Sequence, residues 1–231
     1  MQAIPAGRLL DGWDSGRLQH PLHRALTLLR IAEPDQSIDS LADLSIGERD
    51  RRLVALRRRL FGAAFEASAT CASCQTTLEV KFAADQLPAG GNPAAPADLV
   101  IDGRTIVVRQ PNTTDLLDAI AEEPGRRAAA LLERCAGGDV AEDARARVQQ
   151  HMADVDPMAH VEMRLACPEC GAEWMVPFDI ASYVWDEVSE RAARLLRDVH
   201  TLARAYGWTE PEILALAPRR RQAYLELVTG V

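Results

Sequence analysis

The sequence predicts an α+β fold, mostly helical, built around two cysteine-bearing β-hairpins that lie far apart in the chain, with a small α/β insert between them. Three observations carry this. The cysteines fall in two pairs of equal spacing, Cys71-Ala72-Ser73-Cys74 and Cys167-Pro168-Glu169-Cys170, the second followed by Gly171. Apolar residues recur at identical offsets after each pair, Leu78, Val80 and Phe82 in one half and Trp174, Val176 and Phe178 in the other, as half-buried strands require. Elsewhere apolar residues recur at steps of three and four, the longest such run following Asp179, which is the mark of amphipathic helices.

Before the pairs, Phe65, Ala67 and Ala69 alternate with Glu66, Ser68 and Thr70, and Val161, Met163 and Leu165 alternate with Glu162 and Arg164. Each half therefore reads as a knuckled hairpin, and the two together as a split four-cysteine zinc ribbon. Two tight knuckles present four thiolates to one tetrahedral ion, so Cys71, Cys74, Cys167 and Cys170 are the predicted ligands of a single Zn2+. Four cysteines leave no open position for water or substrate, which makes the predicted ion structural. Paired disulfides and a site that has lost its metal are the other readings of the same cysteines. Gln75 stands where a ribbon normally places glycine after its second cysteine. The 75–166 stretch between the pairs is longer than in a simple ribbon, so the ion would join parts of the chain distant in sequence.

The elements are expected in five segments. Residues 1–62 hold an N-terminal arm and helices. Gly, Pro and Asp in the first twenty positions suggest an irregular arm with Trp13 tucked onto its own domain. A helix from Pro21 carries Leu22, Ala25, Leu26 and Leu29 and breaks near Pro34; a second has a Ser45/Glu48 capping box and stops at Gly62. On that second helix Leu53, Leu56 and Leu60 face inward, while Arg51, Arg52, Arg58 and Arg59 form a basic stripe open to water or to a partner. Residues 63–83 are the first half of the ribbon. Residues 84–158 hold a Pro/Gly linker from Pro88 to Ala97, a hairpin turning at Asp102-Gly103, a helix capped by Asn112 or Thr113, a helix with Ala129, Leu132 and Cys135 on one side, and a polar helix with Val148 and Met152 inward. Residues 159–178 are the second half of the ribbon. In 179–231, Asp179 is expected to cap a helix of about 40 Å, which ends at Gly207. Thr209 and Glu212 form another capping box, and Arg219, Arg220, Arg221 and Tyr224 belong to the last helix.

The chain of 231 residues has a net charge of −8, against the positive footprint of a general nucleic-acid binder. The hairpin strands themselves carry more acid than base, which argues against a ribbon that binds nucleic acid. Zinc-type cysteines, no secretory segment and no apolar run long enough to span a bilayer make a cytoplasmic protein the expectation. There is no phosphate loop, dinucleotide glycine pattern, paired-histidine helix or nucleophile elbow. His20, His23, His151, His160 and His200 are scattered, the acids are not clustered, and Cys135 beside leucines reads as packed core. No residue stands out as catalytic, and no small-molecule substrate is implied.

Three stretches carry a resemblance. They are Leu44-Ser45-Ile46-Gly47-Glu48-Arg49-Asp50 running to Leu60-Phe61-Gly62; Cys167 to Gly171 leading into Phe178-Asp179-Ile180 and the long helix; and Tyr206-Gly207-Trp208 followed by Ile213-Leu214-Ala215-Leu216, Arg221, Tyr224 and Leu225. Taken in order from about Leu41 to Val228, the sequence resembles the T-even phage baseplate hub assembly chaperones, in particular the zinc-ribbon-bearing members that accompany contractile phage tails and extracellular contractile injection systems. The resemblance implies a non-enzymatic assembly factor that binds a baseplate hub or tail subunit. A structural component retained in the particle and a nucleic-acid-binding ribbon are the alternatives. The expected contact residues are Arg51, Arg52, Arg58 and Arg59 on one helix and Arg219, Arg220, Arg221 and Tyr224 on the last.

Overall fold

A computed structural model describes residues 4–89, 96–101 and 103–230. The chain divides into two compact units, one formed by 1–36 with 181–231 and the other by 37–180. The predicted α+β class with small antiparallel hairpins holds, although the division into two units is coarser than the five expected segments.

The first unit is all helical: α1 Ala6–Gly16, α2 Pro21–Ala32, α8 Ile180–Tyr206 after its opening residue, α9 Glu210–Ala215 and α10 Pro218–Thr229. The expected irregular arm is instead α1, packed against α2 and α9. Two of its glycines, which read as breakers in the sequence, are there for close approach. A Cβ at Gly16 would lie 2.5 Å from the Trp185 ring of α8, and one at Gly12 would lie 2.5 Å from Ile31 of α2. Leu9 and Leu10 are buried, and Trp13 is half-buried with the Arg17 guanidinium 5.8 Å from its ring. His20, which stood alone in the sequence, accepts a hydrogen bond from the Leu22 amide and so caps α2.

Helix α8 runs for 27 residues from directly after Asp179. Val184, Val188, Ala192, Leu195 and Leu202 of the predicted stripe are buried, and so is Trp185, beside which Arg24 of α2 stacks at 5.0 Å. The Thr209/Glu212 box forms as expected, with the Thr209 amide donating to Glu212 at 2.8 Å.

The second unit holds α3 Ile38–Ala42, α4 Ile46–Phe61, β1 Ala64–Thr70, β2 Thr77–Ala83, β3 Ala97–Ile101, β4 Arg104–Val108, α5 Thr113–Ala121, α6 Arg127–Ala136, α7 Glu142–Val155, β5 Glu162–Ala166 and β6 Glu173–Pro177. Each sheet is a single antiparallel pair, β1 with β2, β3 with β4 and β5 with β6. Most of the expected Pro88–Ala97 linker, and Asp102 of the expected turn, lie outside the described residues. The insert has a core of its own in which Ile101 and Val108 of the hairpin pack with Leu132, Val140, Ala144 and Val148 from α6, α7 and the turn between them. Cys135 is buried at 1% exposure, and desolvation pushes its thiol up to about 11, as inert packed core requires.

Both ends of the insert are tied to the start of α4. The Ile46 amide donates to the Pro111 carbonyl at 2.9 Å, and Asn112 there caps α5 in a reciprocal box with Asp115. After α7, the buried Asp156 carboxylate accepts from the Gly47 amide and the Ser45 hydroxyl, each at 3.0 Å, and from Arg51 at 3.1 Å. A carboxylate at the positive end of a helix, accepting from otherwise orphaned amides, is a favourable cap.

Candidate metal centre

The centre is built by two hairpins of matching construction. In β1–β2, Phe65 faces inward opposite Phe82, and Ala69 opposite Leu78; in β5–β6, Met163 pairs with Val176 and Leu165 with Trp174. Burial alternates residue by residue along all four strands up to the last residue of β2, as the period of two predicts. A lone two-stranded hairpin is marginal in water, so each needs a partner at both ends.

At one end the partner is aromatic. Phe82 and Phe178, which occupy equivalent places after their cysteine pairs, meet edge to face at 5.2 Å, and Phe65 stacks on Phe82 at 4.8 Å. Arg57 of α4 covers Phe65 at 4.2 Å and donates to the Gly62 carbonyl at 2.7 Å. At the other end are the knuckles. The Cys71 amide donates to the Thr76 carbonyl and the Gln75 amide back to Cys71; the Cys167 amide donates to Ala172 and the Gly171 amide back to Cys167, all four at 2.9 Å. Gln75 has φ 62° and Gly171 φ 72°. The knuckle that lacks glycine thus closes in the same left-handed conformation, at a cost of about 1 kcal/mol for a side chain there.

The four predicted ligands converge. Their Sγ atoms all lie within 4.8 Å of one another, with Cys71 3.8 Å from Cys170 and Cys74 3.5 Å from Cys167. Metal–sulfur bonds of about 2.3 Å in a regular tetrahedron give edges of about 3.8 Å, so the residues fit one ion. The same distances exceed the ~2.05 Å of a disulfide, and all five cysteines are free thiols. Cys71 and Cys167 are buried while Cys74 and Cys170 are exposed, so the ion position is sheltered on the hairpin side and open at the knuckle tips.

The surroundings act in opposite directions on two of the sulfurs. Hydrogen bonds with the hydroxyl and amide of Thr76 hold the Cys74 thiol down at about 6. The Cys170 and Glu169 amides pull on Cys167 in the same direction, but desolvation and the sulfurs of Cys74 and Cys170 outweigh them and push it up to about 11. Crowded sulfurs resist shedding their last protons, which is the opposition a bound cation removes.

The expected contact residues fare unevenly. On α4, Arg51 reaches inward to Asp156 and also binds Glu48 at 3.1 Å, and Arg52 binds Glu48 at 2.8 Å, so these two members of the basic stripe are committed within their own unit. Arg58 and Arg59 are exposed. The same helix carries two arginines that the stripe did not include: Arg49, buried and bonded to Asp50 at 2.7 Å, and the buried Arg57. Burial drives the Asp50 carboxyl up, with the positive charge of Arg49 opposing it.

On α10, Arg219 and Arg220 are exposed and Tyr224 is half-buried. Arg221 corrects the expectation: it is 4% exposed and binds Asp198 of α8 at 3.2 Å, so it holds the last helix in place and is not open to a partner. The reason is its position. Arg221 follows Arg220 by one residue, which turns it about 100° around the helix into the buried side.

Among the described residues the four cysteines are the only grouping of His, Cys, Asp and Glu side chains arranged to hold a metal, and no helix is long and apolar enough to cross a membrane. Compared with models of protein families, with characterised proteins and with solved structures, the chain matches none.

Proposed function

We propose that this chain is a non-enzymatic assembly factor that binds a hub or tail subunit while the baseplate of a contractile phage tail or phage-tail-like injection system is built, and that its four sulfurs hold one structural zinc ion. The reading rests on the three stretches that resemble the baseplate hub assembly chaperones. What supports it physically is the closed sulfur set. Four thiolates saturate a tetrahedral ion and leave no position for substrate, so the ion's contribution is to join the two hairpins. An all-thiolate tetrahedron suits zinc or iron; zinc is the ion of closed structural knuckles and makes no redox demand on them.

The test is co-purification. With a tagged chain expressed alongside the tail genes, a hub or tail subunit should be retained from cells in which tails are assembling, and the chain should be absent from finished particles. Failure of any tail subunit to be retained would overturn the proposal, and a fixed number of copies in finished particles would make the chain a permanent component instead. Elemental analysis of the same preparation should find zinc and not iron.

A further inference from the structure

Helix α10 presents an unusual face. Arg220, Ala223, Tyr224 and Leu227 fall at i, i+3, i+4 and i+7, the spacing by which a helix offers anchors to a partner. Arg220 and Ala223 are exposed, Leu227 is 74% exposed, and Tyr224 is half-buried. Tyr224 belongs to an aromatic cluster in the same unit: Tyr206 stacks on Trp208 at 4.6 Å, and Tyr224 meets Trp208 at 4.8 Å and Tyr206 at 5.7 Å, both edge-on. Rings locked against one another lose little freedom on binding, and Tyr, Trp and Arg are where interface energy concentrates.

The charges say what this face awaits. Pro218 opens the helix, so Arg219 and Arg220 sit in its first turn, at the positive end of the dipole, with no acidic residue in that turn. Neither arginine has an ion-pair partner among the described residues. Two unpaired cations held against a helix dipole, in a chain of net charge −8, are relieved by carboxylates from outside. A second copy using the same face would set Arg220 near its own image, which is repulsive.

We infer that the Arg220–Leu227 face of α10, with the Tyr206–Trp208–Tyr224 cluster beside it, docks an acidic segment of another protein that also carries apolar side chains. The inference deepens the assembly reading, resting on it for the identity of the partner while committing on its own to the partner's chemistry. Arg221 is no part of the face.

The probe is a synthetic helical peptide of about 18 residues with leucines at three- and four-residue steps and glutamates beside them, compared with a version in which lysine replaces each glutamate. Full-length protein is titrated by fluorescence anisotropy as wild type, Arg220→Glu and Leu227→Asp. Both positions are exposed, and unchanged circular dichroism and urea midpoints certify the folds. The expected result is saturable binding of the acidic peptide, weakened at least about tenfold by either substitution, with no binding of the lysine peptide. Absence of saturable binding, or binding indifferent to both substitutions, overturns the inference. So does a dimer that Leu227→Asp dissolves, since a second copy would then occupy the face. If wild type and both variants retain a tail subunit equally, this face is wrong and the assembly role survives. If the wild type retains none, the assembly role falls and the peptide titration alone decides the face.

Discussion

The Gly47 amide donates to the Asp156 carboxylate at 3.0 Å across 109 positions of sequence, and a Cβ on Gly47 would stand 1.9 Å from the Asp156 Oδ1 atom. The backbone at this point is therefore held to a buried side chain with no room between them. Gly47→Ala is expected to cost about 2–4 kcal/mol, since neither a helix start nor a buried carboxylate yields easily. Asp156→Ala, which strips the cap and leaves Arg51 without its inner partner, should cost about 3 kcal/mol. Urea unfolding measures both, and a Gly47→Ala protein as stable as wild type would show the clasp to be slack.

Metal content should follow the sulfurs. One ion per chain is expected in native protein, with Cys71→Ser and Cys167→Ser abolishing it and Cys135→Ser retaining it, as elemental analysis of each variant would show. Chelation should lower the urea midpoint of the wild type, because the ion joins hairpins that are marginal alone. Metal loss from Cys135→Ser would place the ion elsewhere.

The two knuckles make opposite predictions for one substitution. Gln75→Gly should raise stability by about 0.5 kcal/mol, relief of the left-handed strain being offset in part by the freer unfolded chain. Gly171→Gln should cost about 0.5 kcal/mol at the matching position, the same balance in reverse. Equal and opposite shifts of the urea midpoint check the equivalence, and a loss of stability in Gln75→Gly would contradict it.

Acid stability should depend on Asp115. Burial alone would raise this carboxyl, but hydrogen bonds from Arg109, the Asn112 amide and the nearby charge of Arg134 outweigh it and hold the group below its ordinary value. A depressed folded value means that the stabilisation is complete above the ordinary aspartate range and is lost as pH falls through the folded value. Asp115→Asn should cost about 1–2 kcal/mol at neutral pH, a modest figure because the Arg109 side chain is partly open to water. The gap between wild type and variant should close below about pH 4. A gap that is constant from neutral to acid pH would show that charge is not the source.

The four-cysteine cluster was legible because its signal is local and repeated: a short spacing, a strand period and an identical set of offsets, so that Phe82 and Phe178 meeting at 5.2 Å is a match between residues that the offsets alone pair. The helices with polar caps, at Ser45, Asn112 and Thr209, were legible for the same reason. Helix α1 was not, because Gly12 and Gly16 weaken a helix by intrinsic propensity, and only packing against Ile31 and Trp185 explains them. Asp156 and Arg221 were missed as well. Each is a charged residue whose partner lies far away in sequence, and one-dimensional patterns sort such residues to the surface by default.

The sulfurs of Cys74 and Cys167 are neighbours in space yet 93 positions apart along the chain. During synthesis the first knuckle leaves the ribosome roughly 5–20 s before the second, at ordinary elongation speeds. Through that interval the nascent protein carries two of the four clustered sulfurs, and the insert, with its own core, has time to collapse before the other two arrive. The cluster is thus closed late, which makes its closing a report that everything between the two knuckles has been made.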